Sequence, residues 1–185
     1  QDASGLAEEL DKDPRLVEVI LGQSRRIVRA AGGVLITETE HGHVCANSGV
    51  DASNIAEEDT VSLLPDDPDE SAAQLRRGIK ERRGIDVAVI VADTFGRPWR
   101  LGHLNFAIGV SGMMPFKDYR GQRDPYGYEL KVTMMAVADE LTSAAELVMG
   151  KTDGIPVAIV RGYDFPRGEG SAAEIVRPPD MDLFR

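Results

Sequence analysis

The stretch "DVAVIVADTFGRPWR", residues 86–100, constrains the fold more than any other part of the chain. Its first eight residues, "DVAVIVAD", hold a continuous apolar run from Val87 to Ala92 rich in Val and Ile, which predicts a strand covered on both faces, as in sheets sandwiched by helices. The run ends on Asp93 and Thr94 and is followed by Arg97 and Arg100 around a Pro98-Trp99 pair. A carboxylate at the carboxyl end of a buried strand lies where ligands enter open α/β sheets.

On either side of this run the chain alternates between helical and strand signals. The residues before Pro14 read as a helix already under way. "PRLVEVILGQSRRIVRA", 14–30, spaces Leu16, Val19, Ile20, Ile27 and Val28 as one helical stripe and predicts an amphipathic helix closed near Gly32 and Gly33. "GVLITETE", 33–40, predicts a strand, and "HVCANSGVDASN", 43–54, begins as a strand and passes into a loop. Glu70–Arg83 predicts a surface helix, and "LNFAIGVSG", 104–112, a strand before a loop over Met113–Tyr128. "ELKVTMMAVADELTSAAELVMG", 129–150, predicts one long helix ended by Gly150, and "IPVAIVRG", 155–162, a last strand. The sum is an α/β or α+β domain over residues 1–185, a mixed sheet covered by helices.

Charge narrows the partners. The formal net charge of -10 argues against non-specific nucleic-acid or anionic-membrane binding, because both need basic patches to displace counterions. Asp51 to Glu70 holds eight acids and no Lys or Arg, the pattern of a solvated face. Arg97 to Arg123 holds five basic residues (Arg97, Arg100, Lys117, Arg120, Arg123) against Asp118 alone, interleaved with Gly, Pro and aromatics as in a binding loop. No apolar run is long enough to span a membrane, and "QDASGLAEELDKD" has no secretion-signal pattern, so a cytoplasmic setting is expected. The single cysteine, Cys45, has no partner for an internal disulfide and reads as a small buried apolar residue.

"GKT" at 150–152 imitates a phosphate-binding loop but fails on two grounds. Ala145 stands where that pattern needs glycine, and the segment follows a helix, whose carboxyl end carries the wrong dipole sign for phosphate. His41 and His43 would share a face of one strand, although polar edge sequence is the commoner meaning of such a pair. Asp93 with Thr94 offers two hard oxygen donors suited to Mg²⁺ or Mn²⁺; an Asx turn at Asp93 is the alternative, and both stay open. Asp51 adds an oxygen donor and Asn54 a hydrogen-bonding group, while the local sequence also suits a helix N-cap. Arg97 and Arg100, stiffened by Pro98, suit bidentate binding of phosphate or carboxylate.

The blocks "CANSGVDASN", "ADTFGRPWRLGHLNFAIGVSG", "DYRGQRDPYGYELKVT", "AVADELTSAAELVMGK" and "IPVAIVRG" together closely resemble the coenzyme F420-0:L-glutamate ligase (F420:gamma-glutamyl ligase) family, from about Leu16 to Phe184. The resemblance implies the family's own α/β fold as an intertwined homodimer. It implies a GTP-dependent ligase, using Mn²⁺ or Mg²⁺, that joins L-glutamate to the carboxylate of F420-0 and then adds a further γ-linked glutamate. By motif it implies metal ligands at Asp51, Asp93 and Thr94 and nucleotide contacts at Asn54 and at Met149, Gly150, Lys151, Thr152, Asp153, Gly154, Ile155 and Pro156. The family can place a glutamine ligand where this chain has Lys151, and an ammonium has no lone pair to donate to a metal. The resemblance also implies a strand-rich segment upstream, with further GTP contacts, so the chain reads as lacking its N-terminal segment. Arg97 and Arg100 are expected to orient substrate anions. Two other classes stay open: a non-catalytic F420-like ligand-binding or dimerisation module, and a metal-dependent phosphohydrolase.

Overall fold

The computed structural model describes residues 2–183. The chain forms two compact units. One runs to Asp66 and takes in Phe95–His103; the other comprises Asp67–Thr94 and the chain from Leu104 onward. Among the described residues no helix is long and apolar enough to cross a membrane.

The first unit opens with α1 (Ala3–Leu10), whose N-cap Asp2 accepts a hydrogen bond from the Gly5 amide at 2.9 Å. Helix α2 (Pro14–Gly22) starts in the same way, from Asp13 with Pro14 in its first turn. The two helices bury Leu6, Ala7 and Val17 against Leu21 and Ala30, and Leu10 and Ile20 against Leu35 and Val50. An antiparallel sheet follows, in the order β1 (Ser24–Ala31), β2 (Val34–Thr39), β3 (Val44–Ala46).

Strand β1 corrects the helix predicted over 14–30. Ser24 donates its hydroxyl to the Ile20 carbonyl as the helix closes, and the chain leaves it extended. Ala31 pairs with Val34 across Gly32 and Gly33, which take φ 58° and 76°. A two-residue turn with both φ positive matches the twist of a hairpin, so the glycine pair joins two β-branched stretches rather than stopping a helix.

The second unit begins with α3 (Pro68–Arg83), capped by the Asp67 carboxylate on the Glu70 amide at 2.8 Å and closed by Gly84 at φ 69°. Its core gathers Ala107, Val110, Met113, Val137, Ala138 and Ala172, with Ile90, Leu141 and Phe165 packed against them. Helix α4 spans Val137–Met149, shorter than the predicted 129–150. Residues 131–133 include β-branched Val132 and Thr133, and the next two form β7 (Met134–Met135), antiparallel to β6 (Lys117–Asp118) inside the expected loop. "IPVAIVRG" is not a strand: Pro156 lacks a donor, no strand pairs with the segment among the described residues, and Val157 and Ile159 are exposed.

A single mixed sheet is likewise not what forms. Among the described residues three small sheets accompany the helices, the third being the hairpin of β4 (Val89–Arg97) and β5 (Arg100–Ser111). Strand β4 does not stop at Asp93. It continues to Arg97 and turns over Pro98 and Trp99 alone, with Trp99 at φ 60°. Its residues are mostly half-buried, with Ala92 and Gly96 exposed, because a two-stranded ribbon cannot be covered as a central strand is.

Asp69, in the first turn of α3, ties the second unit together. One carboxylate oxygen accepts from the amides of Val110 at 2.7 Å and Ala172 at 3.1 Å, and the other from the Ser171 hydroxyl at 2.6 Å. Asp69→Ala would leave two amides of buried residues without their partner, a loss of about 3 kcal/mol. Thermal denaturation should show a melting temperature lower by roughly 6–12 °C for a chain of this size. An unchanged melting temperature would refute this role.

Candidate active site

In the second unit a directional chain of hydrogen bonds connects β4, β5 and α4. The Lys151 ammonium donates to the Thr94 hydroxyl, and that hydroxyl donates to Oδ1 of Asn105. The Asn105 amide nitrogen donates to the Glu146 carboxylate at 2.9 Å. The carbonyl of Asn105 accepts from the hydroxyls of Thr142 and Ser143, each at 3.0 Å, which pins buried Asn105 to α4. A cation thus ends the relay on one side and an anion on the other, an arrangement in which each bond polarises the next.

Lys151 reaches Thr94 because of the way α4 ends. Gly150 caps the helix at φ 60°, donating its amide to the Glu146 carbonyl at 3.0 Å, and turns the chain. A Cβ at Gly150 would lie 2.7 Å from a carboxylate oxygen of Asp153, so the acid folds back over the glycine. Met149 is half-buried; Lys151, Thr152, Asp153, Gly154, Ile155 and Pro156 are exposed. The segment follows a helix and does not open one, in keeping with rejection of the phosphate-binding loop. Nearby, Asp139 accepts from the Ala107 amide at 2.9 Å, and burial holds its carboxyl above the usual carboxylate range despite that bond.

Asp93 precedes Thr94 in β4 and is half-buried, within the strand and not at its end. Successive residues of a strand project to opposite faces, so Asp93 and Thr94 do not share one.

In the first unit, Asp51 follows a loop held in unusual backbone geometry, with Asn47 at φ 54°, Ser48 at 53° and Gly49 at 70°. A Cβ on Gly49 would lie 2.8 Å from the Leu64 side chain. Ser48 is buried and its hydroxyl bonds those of Ser24 at 2.6 Å and Thr37 at 2.7 Å, anchoring the loop to β1 and β2. Asp51 pairs through its backbone with Ser62. Its carboxylate accepts from the Ser53 amide at 2.8 Å and the Ser53 hydroxyl at 2.6 Å, so it closes a turn and does not cap a helix. Asn54 is exposed, at φ 57°.

Arg97 and Arg100 flank the hairpin turn. Arg97 is half-buried and donates to the Gly102 carbonyl at 3.2 Å, while Arg100 is exposed beside Trp99 and Leu101, which are 75% and 100% exposed. Arg120 is committed to Asp118, at 2.6 Å, so one of the basic-block arginines serves the fold. His41 bonds the Asp66 carbonyl at 3.0 Å, and the His43 imidazole is held below its usual range by burial and by His41. Among the described residues no group of three or more His, Cys, Asp or Glu could hold a metal ion, and Cys45 is buried.

Sequence reading had missed Asn105 and Glu146. The signal present was a lone amide inside the apolar run "LNFAIGV", since a polar side chain in a covered strand needs a partner.

The family model described as F420-0:gamma-glutamyl ligase matches residues 1–162. A coenzyme F420:L-glutamate ligase of Methanopyrus kandleri is 52% identical over 188 residues, covering 99% of this chain and 74% of the relative. Those of Methanocaldococcus jannaschii and Methanothermobacter thermautotrophicus are 47% and 46% identical, each covering all of this chain and 74% of the relative. Identity of that order over 99–100% of the chain, together with the family match, places it plainly: the chain belongs to the F420-0:gamma-glutamyl ligase family.

Proposed function

We propose that this chain joins L-glutamate to the carboxylate of coenzyme F420-0, with GTP driving the reaction. The observation that carries this reading is the 44–52% identity to relatives named coenzyme F420:L-glutamate ligase, over essentially the full chain. The energetics supply the rest. A carboxylate does not condense with an amine in water, because the departing oxygen is a poor leaving group. Transfer of the γ-phosphoryl of GTP to the carboxylate oxygen releases GDP and gives an acyl phosphate. The glutamate amine then attacks the acyl carbon, the C–O bond to phosphate breaks, and inorganic phosphate and a proton leave with the amide formed. A second cycle on the new γ-carboxylate would add the further glutamate.

In this reading Asp51 and Asp93 are each ligands of Mg²⁺ or Mn²⁺, for which carboxylate oxygens are the fitting donors. Such an ion would offset charge on the β- and γ-phosphates. Asn54 and the segment from Met149 to Pro156 contact the nucleotide. Arg97 and Arg100 hold substrate carboxylate or phosphate in line by bidentate pairing. A homodimer belongs to the same reading, and would cover exposed Leu147, Val148, Val157 and Ile159.

Mass spectrometry of F420-0 incubated with the protein, L-glutamate, GTP and Mn²⁺ tests the proposal. The expected product is F420-0 heavier by one glutamyl residue, with one GDP formed per amide. GDP released without the glutamylated product would favour a phosphohydrolase. No metal-dependent GTP binding in calorimetry would favour a binding module.

A further inference from the structure

We propose that Lys151 takes the place of a metal ion at Thr94, so that this hydroxyl serves a tethered ammonium in place of a divalent cation. The inference rests on the nucleotide-dependent reading above, and it departs from the ligand set of Asp51, Asp93 and Thr94 that the resemblance implied.

The relay around Thr94 carries the argument. An isolated lysine touching a surface hydroxyl would mean little. Here the hydroxyl proton is already committed to Oδ1 of Asn105, whose amide nitrogen is committed to Glu146 at 2.9 Å. Asn105 itself is buried and held through its carbonyl by Thr142 and Ser143, each at 3.0 Å. Its amide therefore has one orientation that satisfies every partner, which fixes the Thr94 proton inward and turns the hydroxyl lone pairs outward. A lone pair aimed this way receives a positive charge, and the charge it receives is the Lys151 ammonium.

A hydroxyl has a second lone pair. An ion placed there would sit beside the ammonium on the same oxygen, and a +2 and a +1 charge at that separation repel strongly even with solvent screening. Thr94 therefore holds Lys151 or a divalent ion, and not both. The ammonium has three donors, of which Thr94 takes one. The remaining two are available to an anionic oxygen, so Lys151 supplies at this point the positive charge that a divalent ion would supply to a phosphate. Asp93 projects from the opposite face of β4, and its role as a carboxylate ligand is unaffected.

The test counts ions without reference to turnover. The purified chain and its Lys151→Gln and Lys151→Met variants are titrated with Mn²⁺, alone and with GDP, and bound ion is counted from the loss of the free-ion electron paramagnetic resonance signal. Lys151→Gln removes the ammonium and restores an amide oxygen donor, and should bind one more Mn²⁺ per chain than the parent. Lys151→Met removes the charge without a donor and should gain none. Adding Thr94→Val to Lys151→Gln should abolish the gain. Equal stoichiometry in parent and Lys151→Gln overturns the proposal while leaving the Asp51 and Asp93 reading in place. A parent that binds no Mn²⁺, with one ion gained in Lys151→Gln, upholds the substitution at Thr94 and removes Asp51 and Asp93 as metal ligands.

Discussion

Gly109→Ala should prevent the second unit from reaching its native packing, and the variant should be recovered with little cooperative unfolding in a denaturant titration. Gly109 is buried in β5 where the strand passes the start of α3. A Cβ there would lie 2.1 Å from the Pro68 carbonyl oxygen, 2.3 Å from its carbon and 2.9 Å from the Asp69 nitrogen. All three atoms are backbone, so no rotamer change relieves the overlap. The strand or the helix start must move, at a cost of about 3 kcal/mol or more by the upper range for overpacked cores. Movement would also stretch the bond from the adjacent Val110 amide to Asp69, now 2.7 Å. Gly78→Ala is the matched control. Gly78 lies within α3 with nothing near its added methyl, and alanine there should stabilise by roughly 0.5–1 kcal/mol. The same chemical change should therefore act with opposite sign at the two positions. A well-folded Gly109→Ala protein would refute the close approach.

Asp93→Asn should nearly abolish glutamate ligation with the melting temperature little changed. The substitution keeps size and hydrogen-bonding shape and removes one negative charge from a half-buried strand position. Removing a preorganised charge-stabilising group from a reacting phosphoryl centre typically lowers turnover by about 10²–10³. The variant should also need more Mn²⁺ to reach its residual rate. Rates of GDP and amide formation measured over a Mn²⁺ series check both effects. Parent-like turnover in Asp93→Asn would remove Asp93 from the chemistry.

Local chemistry made parts of the fold legible. Asp67 with Pro68 at the start of α3 and Gly84 at its end bracket the helix as their residue types require. Where two local signals competed, sequence reading chose the wrong one. Ile27 and Val28 fit both a helical stripe and a β-branched strand, and only pairing with β2 across Gly32 and Gly33 decides between them. "IPVAIVRG" has strand composition, but a strand exists only with a neighbour to bond, and composition carries no record of one.

The candidate site divides in the same way. Asp93, Thr94 and Lys151 attract notice because of their residue types. The relay that orients Thr94 joins residues 11, 41 and 57 positions apart, separations that hydrophobic periodicity does not register. Glu146 was accordingly invisible, Asn105 showed only as a lone amide in an apolar run, and the meaning of Lys151 emerged only once its hydroxyl partner was seen.

The hairpin of β4 and β5 carries a consequence for how this polypeptide can be dissected. Its outer end, Phe95–His103, counts with the unit that begins near residue 2, while its inner portions count with the other. Cutting the gene after Asp66 would thus deliver an amino-terminal fragment deprived of nine residues, Phe95–His103, that belong to it. During synthesis on the ribosome, that unit cannot be completed until His103 has emerged, by which time α3, β4 and the turn between β4 and β5 are already outside the exit tunnel.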